Sequence, residues 1–200
     1  VYKQVEMQFD ENGDIIVSTD SPMIHTISCD EKPGIQAIAT TSDDLRPTEG
    51  NGCVYRDYEY KRLGTLSLIA GIDLLTGIAI PVVSETHKSS DFICLLKKLD
   101  EMYPEGDVIR IICDNHSAHK SKEVQNYLAT KPEGRYVFVF IPKHASWLNL
   151  IECFFSKMAK QMLKGIRVKS KQELADRIYQ YFDEINKAVS YTHLTLPTKL

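Results

Sequence analysis

Residues 108–122, VIRIICDNHSAHKSK, carry a run from Val108 to Cys113, apolar but for Arg110, straight into Asp114, Asn115, His116, His119 and Lys120. A short apolar run bounded by polar residues reads as a buried strand. A carboxylate at the end of such a strand is held more rigidly than a loop could hold it. Metal- and anion-binding side chains crowd around it. The pattern points to a strand that delivers an acid to a reactive edge.

Working outward, YVFVFI (136–141) reads as the next strand, with a helix near 120–130 between the two. Upstream, Ser89 or Ser90 can cap a helix through Tyr103 with Phe92, Leu95, Leu96 and Leu99 on one face, and Pro104 and Gly106 stop it. TLSLIAGI (65–72) and IAIPVV (78–83) read as strands joined by a turn, and MIHTISCD (23–30) as a strand ending at Asp30. Residues 31–62, with Pro33, Gly34, Pro47, Gly50 and Gly52, read as a long irregular loop. Downstream, a helix is expected over roughly 148–164. A last one follows from Ser170, with the capping box Ser170-x-x-Glu173 and a stripe of Leu174, Ile178, Phe182 and Ile185. Strands in a meander followed by alternating helices and strands imply an α/β fold, a mixed sheet with helices on its faces.

Three acids stand where such a fold would gather them. Asp30 and Asp114 end strands that are neighbours in a mixed sheet. On a helical wheel, Ile151, Phe155, Met158 and Met162 form the docking stripe of the 148–164 helix, and Glu152 lies off it with Asn149, Ser156 and Lys160. Three carboxylates on one edge repel and resist ionising unless a cation compensates, which suits oxygen-seeking Mg2+ or Mn2+. Each acid also has a plain structural alternative: a turn after Asp30, a helix cap at Asp114-Asn115, and a capping box in Asn149-x-x-Glu152. His116 and His119 could be ordinary loop histidines or, with Asp114, a zinc cluster.

Composition narrows the class. The 200 residues are 43% hydrophobic and 26% charged, which is enough apolar material for one domain's core. No run of 18 apolar residues exists to span a membrane, and no signal peptide is seen. Five cysteines without a Cys-x-x-Cys pair argue against a disulfide framework or zinc ribbon, and three follow or lie in apolar runs, which reads as buried thiols in a reducing cytosol. The net charge of −3 is uneven: residues 1–60 hold 12 acids against 4 bases, leaving 15 against 20 in the remainder. Between Cys153 and Gln172 there is no acid, yet Lys157, Lys160, Lys164, Arg167, Lys169 and Lys171 are present. That run is either a solvated helix face or a phosphate-backbone contact.

Three blocks, SCDEKPGIQA (28–37), CDNHSAHKSKEV (113–124) and FIPKHASWLNLIECFFSKM (140–158), together resemble the catalytic domain of DDE transposases, in particular the bacterial insertion-sequence relatives of the mariner elements. The resemblance covers approximately residues 1–187, and 37 residues separate Asp114 from Glu152 (152 − 114 − 1), as the family implies. It implies a ribonuclease-H-like five-stranded sheet in which Asp30, Asp114 and Glu152 are the catalytic and metal-binding triad. Asn115, His119 and Asn149 would line the site, and Lys120, Lys143, Lys157, Lys160, Lys164 and Arg167 would contact DNA. The chemistry implied is phosphoryl transfer on double-stranded DNA, at transposon ends and target, by two Mg2+ (or Mn2+) ions about 3.5–4 Å apart.

A homodimer in the full-length protein, no membrane partner and a cytoplasmic, nucleoid-associated bacterial setting go with that resemblance. Residues 1–22 are expected to lead in from a missing N-terminal DNA-binding region, residues 23–187 to form the catalytic domain, and residues 188–200 to be a non-native tail that breaks the helical period. A nuclease or resolvase without strand transfer, and a domesticated DNA-binding module without catalysis, remain open alternatives.

Overall fold

The computed structural model describes residues 22–50, 52–55, 58–115, 117–142 and 149–195. Most of the expected lead-in, the last five residues, His116 and Lys143 lie outside them. The described elements follow as β1 (Ile24–Thr40), β2 (Tyr60–Asp73), β3 (Ala79–Ser84), α1 (Ser89–Met102), β4 (Val108–Cys113), α2 (Lys122–Leu128), β5 (Tyr136–Phe140), α3 (Leu150–Met158) and α4 (Lys171–Thr195). The strands make one mixed sheet in the order β3-β2-β1-β4-β5, antiparallel across the first two junctions and parallel across the last two.

Alternation along the central strands sorts side chains to two cores. Ile27 and Cys29 of β1, with Ile109, Ile111 and Cys113 of β4, face α1, where Phe92, Leu95, Leu96 and Leu99 are all fully buried. The opposite face takes Leu66, Leu68 and Ala70 of β2 against Ile151, Phe155 and Met158 of α3 and Leu174, Ile178 and Phe182 of α4. The apolar stripes expected of the three helices are therefore the ones that dock. Each fully buried Phe or Leu contributes roughly 1.5–3 kcal/mol through burial. At the sheet centre, a side chain on Gly71 would meet Ile27 Cγ2 at 2.6 Å, so glycine lets β1 and β2 close there.

The region 31–62 differs from expectation. Its two ends are strand: β1 runs on to Thr40 and β2 begins at Tyr60, a long hairpin closed by the Leu45–Tyr55 bridge. Pro33 and Gly34 do not end β1, because they fall where its register against β2 shifts by one residue, between Lys32 and Ile35, with Gly34 at φ 70°. A bulge tolerates the proline's missing N–H and the glycine's positive φ. It also reverses the alternation, so that Ile35 and Ala37 join the α3/α4 core.

Helix boundaries also differ. Neither Ser89 nor Ser90 caps α1; the Asp91 carboxylate reaches back to the Lys88 N–H at 2.8 Å. The expected 148–164 helix is α-helical from Leu150 to Met158 and continues as a π turn over Ala159–Leu163, closed by Lys164 N–H to the Ala159 carbonyl at 2.9 Å. Ser170 caps α4, receiving the Glu173 N–H at 3.1 Å. The α4 backbone stays helical through Thr195, past the break in helical period expected from residue 190. Only Cys29 and Cys113 are buried; Cys53, Cys94 and Cys153 are exposed.

Candidate active site

The parallel pairing of β1 with β4 carries the first two acids to one level. Their register runs Ile24 to Val108 through Ser28 to Ile112, a constant offset of 84. Continued two residues, it sets Asp30 beside Asp114 (114 − 30 = 84). Alternation gives Asp30 the same face as Ser28, the face on which α3 packs. Glu152 enters from the first turn of α3, whose Ile151 is buried against that side of the sheet.

The electrostatics agree with convergence. Asp30 is pushed up from 3.8 to about 6: burial raises it, the Glu31 N–H bond at 2.7 Å opposes, and the Asp114 and Glu152 carboxylates add to the rise. Among the described residues no Lys or Arg forms an ion pair with Asp30 or Glu152.

Asn149 does not cap α3, which removes the capping-box alternative for Asn149-x-x-Glu152. Its amide is buried against β1 instead, donating from Nδ2 to the Cys29 carbonyl at 2.9 Å and accepting at Oδ1 from Ser28 Oγ at 2.5 Å.

His119 lies beneath the site, 2% exposed, with its ring 4.4 Å from that of Phe92. Its Nδ1 is 3.3 Å from the Asp114 carbonyl and 3.4 Å from Asp114 Oδ1, and its Nε2 is 3.5 Å from Glu31 Oε1. Burial works against the imidazolium, but the Cys113 sulfur, the Glu31 carboxylate and the Asp114 carbonyl outweigh it and raise the pKa above the usual histidine range. Asn115 donates to the Ile141 carbonyl at 2.9 Å and accepts from Lys120 Nζ at 2.7 Å, while that ammonium stands 4.1 Å over the Phe140 ring. Asn115, His119 and Asn149 thus all adjoin the acids, and each is engaged with backbone or a neighbouring side chain.

Lys157, Lys160 and Lys164 are exposed beyond Glu152, with Arg167 half-buried. The chain then returns to the β1–β2 hairpin, where Val168 N–H bonds the Ile38 carbonyl at 2.9 Å.

Two participants were missed from sequence. Glu31 is the far partner of His119, and its only signal was adjacency to Asp30. Ser28 anchors Asn149, and its only signal was its place two positions before Asp30.

The donor set is three carboxylates, hard oxygen ligands of the kind Mg2+ and Mn2+ take. Among the described residues no three His, Cys, Asp or Glu side chains already form an ion-holding group, for magnesium or for the zinc alternative. The donors nonetheless fit a hard dication. Asp30 is half-buried and faces two further acids, and a dication would favour its ionised form.

Residues 27–175 match the family model described as DDE superfamily endonuclease. A curated relative, the "Insertion element IS630 uncharacterized 39 kDa protein" of Shigella sonnei, is 26% identical over 111 residues, 56% of this chain and 32% of that protein. The mariner Mos1 paired-end complex with Mg shares the fold at 16% identity and TM-score 0.53, covering 79% of this chain and 48% of that one. The Mos1 strand transfer complex does so at 14% identity and TM-score 0.51, covering 84% and 51%. The chain therefore spans about a third of the insertion-element protein and about half of the Mos1 chains. The expected ribonuclease-H-like architecture, a mixed five-stranded sheet with helices on both faces, is the one observed. No helix among the described residues is long and apolar enough to cross a membrane.

Proposed function

The chain belongs to the DDE superfamily endonuclease family, and on that premise we propose that it is the catalytic domain of an insertion-sequence transposase, cutting DNA strands and joining them to a target. What carries the proposal is the electrostatic coupling of Asp30 to the Asp114 and Glu152 carboxylates, with Asp30 within β1 just beyond its ladder with β4, Asp114 just past the end of β4 and Glu152 in the first turn of α3. Residues 23–187 are its catalytic domain. Mg2+ or Mn2+, as two ions, would be held by these three carboxylates and would supply Lewis-acid activation and charge neutralisation at the scissile phosphate.

The chain's own residues do the rest. Asp30 and Asp114 are fixed side by side through the β1–β4 ladder, and Glu152 by the seating of α3. His119 braces Asp114 from below, and Asn115 ties the turn after Asp114 to the end of β5. Lys120, Lys157, Lys160, Lys164 and Arg167, with Lys143, would hold the DNA backbone beside the acids by neutralising phosphates. The Mos1 chains of like fold are captured as paired-end and strand transfer complexes, which is the activity proposed here. The exposed hairpin tip, with Leu45 68%, Tyr55 55% and Tyr58 89% exposed, suits contact with a second copy in a dimer.

The test is incubation of the full-length protein with labelled transposon ends, target plasmid and Mg2+. Joined products support transposition, and nicks without joining support the nuclease alternative. Normal end-binding with no cleavage, unchanged in Asp114→Asn, supports the non-catalytic module.

A further inference from the structure

The N-terminus of α3 is capped from outside its own helix. Asn149 occupies the N-cap position, where its side chain could satisfy the first free N–H groups unaided. It makes no such bond. Ser28 of β1 accepts the Ile151 N–H at 3.2 Å, and its hydroxyl donates to Asn149 Oδ1 at 2.5 Å. Asn149 Nδ2 in turn donates to the Cys29 carbonyl at 2.9 Å. A carbonyl can only accept, so the orientation of the amide is set by chemistry. Both side chains are buried, Ser28 at 0% and Asn149 at 1% exposure.

The cap is therefore crossed: the strand satisfies the helix and the helix satisfies the strand. A self-contained cap would stabilise α3 equally wherever the helix sat. A crossed one stabilises it only at a single offset from β1. That offset matters because Ser28 is two residues before Asp30 and Asn149 three before Glu152.

We propose that Ser28 and Asn149 form a latch that sets the separation of Asp30 from Glu152, making them positioning residues for the divalent-ion site. The inference rests on the metal reading given above. Its physical basis is that partners one step behind the ligands control how well carboxylates preorganise for an ion, and losing them typically weakens metal affinity about 10–100-fold.

Ser28→Ala and Asn149→Ala remove the latch. Ser28→Thr keeps the hydroxyl, and Asn149→Asp keeps size and acceptor but loses the donor to Cys29. Mn2+ affinity is read from the loss of the free-ion electron paramagnetic resonance signal, with thermal melting recorded on the same full chain without metal. Half-saturating Mg2+ and plateau rate are read separately in DNA nicking.

The expected result is an approximately tenfold rise in the Mn2+ dissociation constant and in half-saturating Mg2+ for Ser28→Ala and Asn149→Asp. Ser28→Thr should restore both. If the variants melt lower but bind Mn2+ as wild type does, the latch is only structural and the proposal is overturned. Should Asn149→Ala or Ser28→Ala fail to fold, Asn149→Asp decides by the same criterion. A wild-type chain that neither binds Mn2+ nor cleaves DNA overturns the function proposed above and this inference with it, and so is distinct from failure of the latch by itself.

Discussion

Aspartates occupy both ends of the β1–β4 pair, and the two ends treat them in opposite ways. At the end where β1 begins, Asp73 is completely buried yet accepts from Tyr103 OH at 2.8 Å and Leu75 N–H at 2.8 Å. Asp107 accepts from His25 Nε2 at 2.9 Å and Met23 N–H at 3.1 Å. Burial works against its charge, but these bonds outweigh it and hold the carboxyl below the usual range. The His25 ring stacks on Tyr103 at 4.0 Å, completing the cluster. At the other end, Asp30 is half-buried, accepts a bond from its own neighbour's N–H, and faces two further acids that help push it up to about 6. An acid whose lone pairs are filled by the protein is part of the scaffold. One left facing other acids costs stability and is kept for something the scaffold does not supply.

The largest expected effect lies at the unsatisfied end. Asp30→Ala, Asp114→Asn or Glu152→Ala should each lower DNA cleavage by about 10³-fold, with melting temperature little changed. Wild-type cleavage in any of the three would erase the distinction between the two ends. Substitution at the satisfied end should do the reverse. Asp73→Ala leaves the buried Tyr103 hydroxyl and Leu75 N–H without their acceptor, so urea unfolding should show a loss of about 2–4 kcal/mol, with the cleavage rate per folded molecule retained.

Asp30 itself sharpens the contrast through pH. Its folded pKa, about 6 against 3.8, means the folded chain binds that proton more tightly than the unfolded one. Stability of the metal-free chain should therefore fall as pH rises between those values and stay lower above them. Asp30→Asn should gain about 1–2 kcal/mol over wild type at pH 8 without metal, gain nothing at pH values near 4, and lose the advantage in saturating Mg2+. Equal stabilities across pH would mean that Asp30 is not under strain. The smallest effects belong to the basic run: Lys160→Ala and Lys164→Ala should each reduce the salt dependence of DNA affinity by about one unit of slope, without changing the rate at saturating DNA.

Much of this could be read from the chain. The apolar run 108–113, the stripes of α1, α3 and α4, and the three acidic blocks were legible because period and spacing are local properties. The extent of β1 was not, because Pro33-Gly34 is a turn signal unless a partner strand absorbs it as a bulge, and that partner is some 35 residues away (68 − 33 = 35). Nor was the cap of α3. Asn149-x-x-Glu152 has the form of a local capping box, and only the presence of Ser28 beside it diverts the amide to β1. Glu31 gave no local sign that it would reach His119.

By itself the chain determined which acidic blocks it carries, how far apart they lie in sequence, which helix faces are apolar, and hence the family and the class of sheet. Tertiary structure decided which aspartates are satisfied and which are left facing one another. Burial, hydrogen bonding and Coulomb coupling depend on separations of a few ångströms between residues far apart in the chain, 30 positions for Asp73 and Tyr103 and 84 for Asp30 and Asp114 (114 − 30 = 84), and local pattern does not encode those separations.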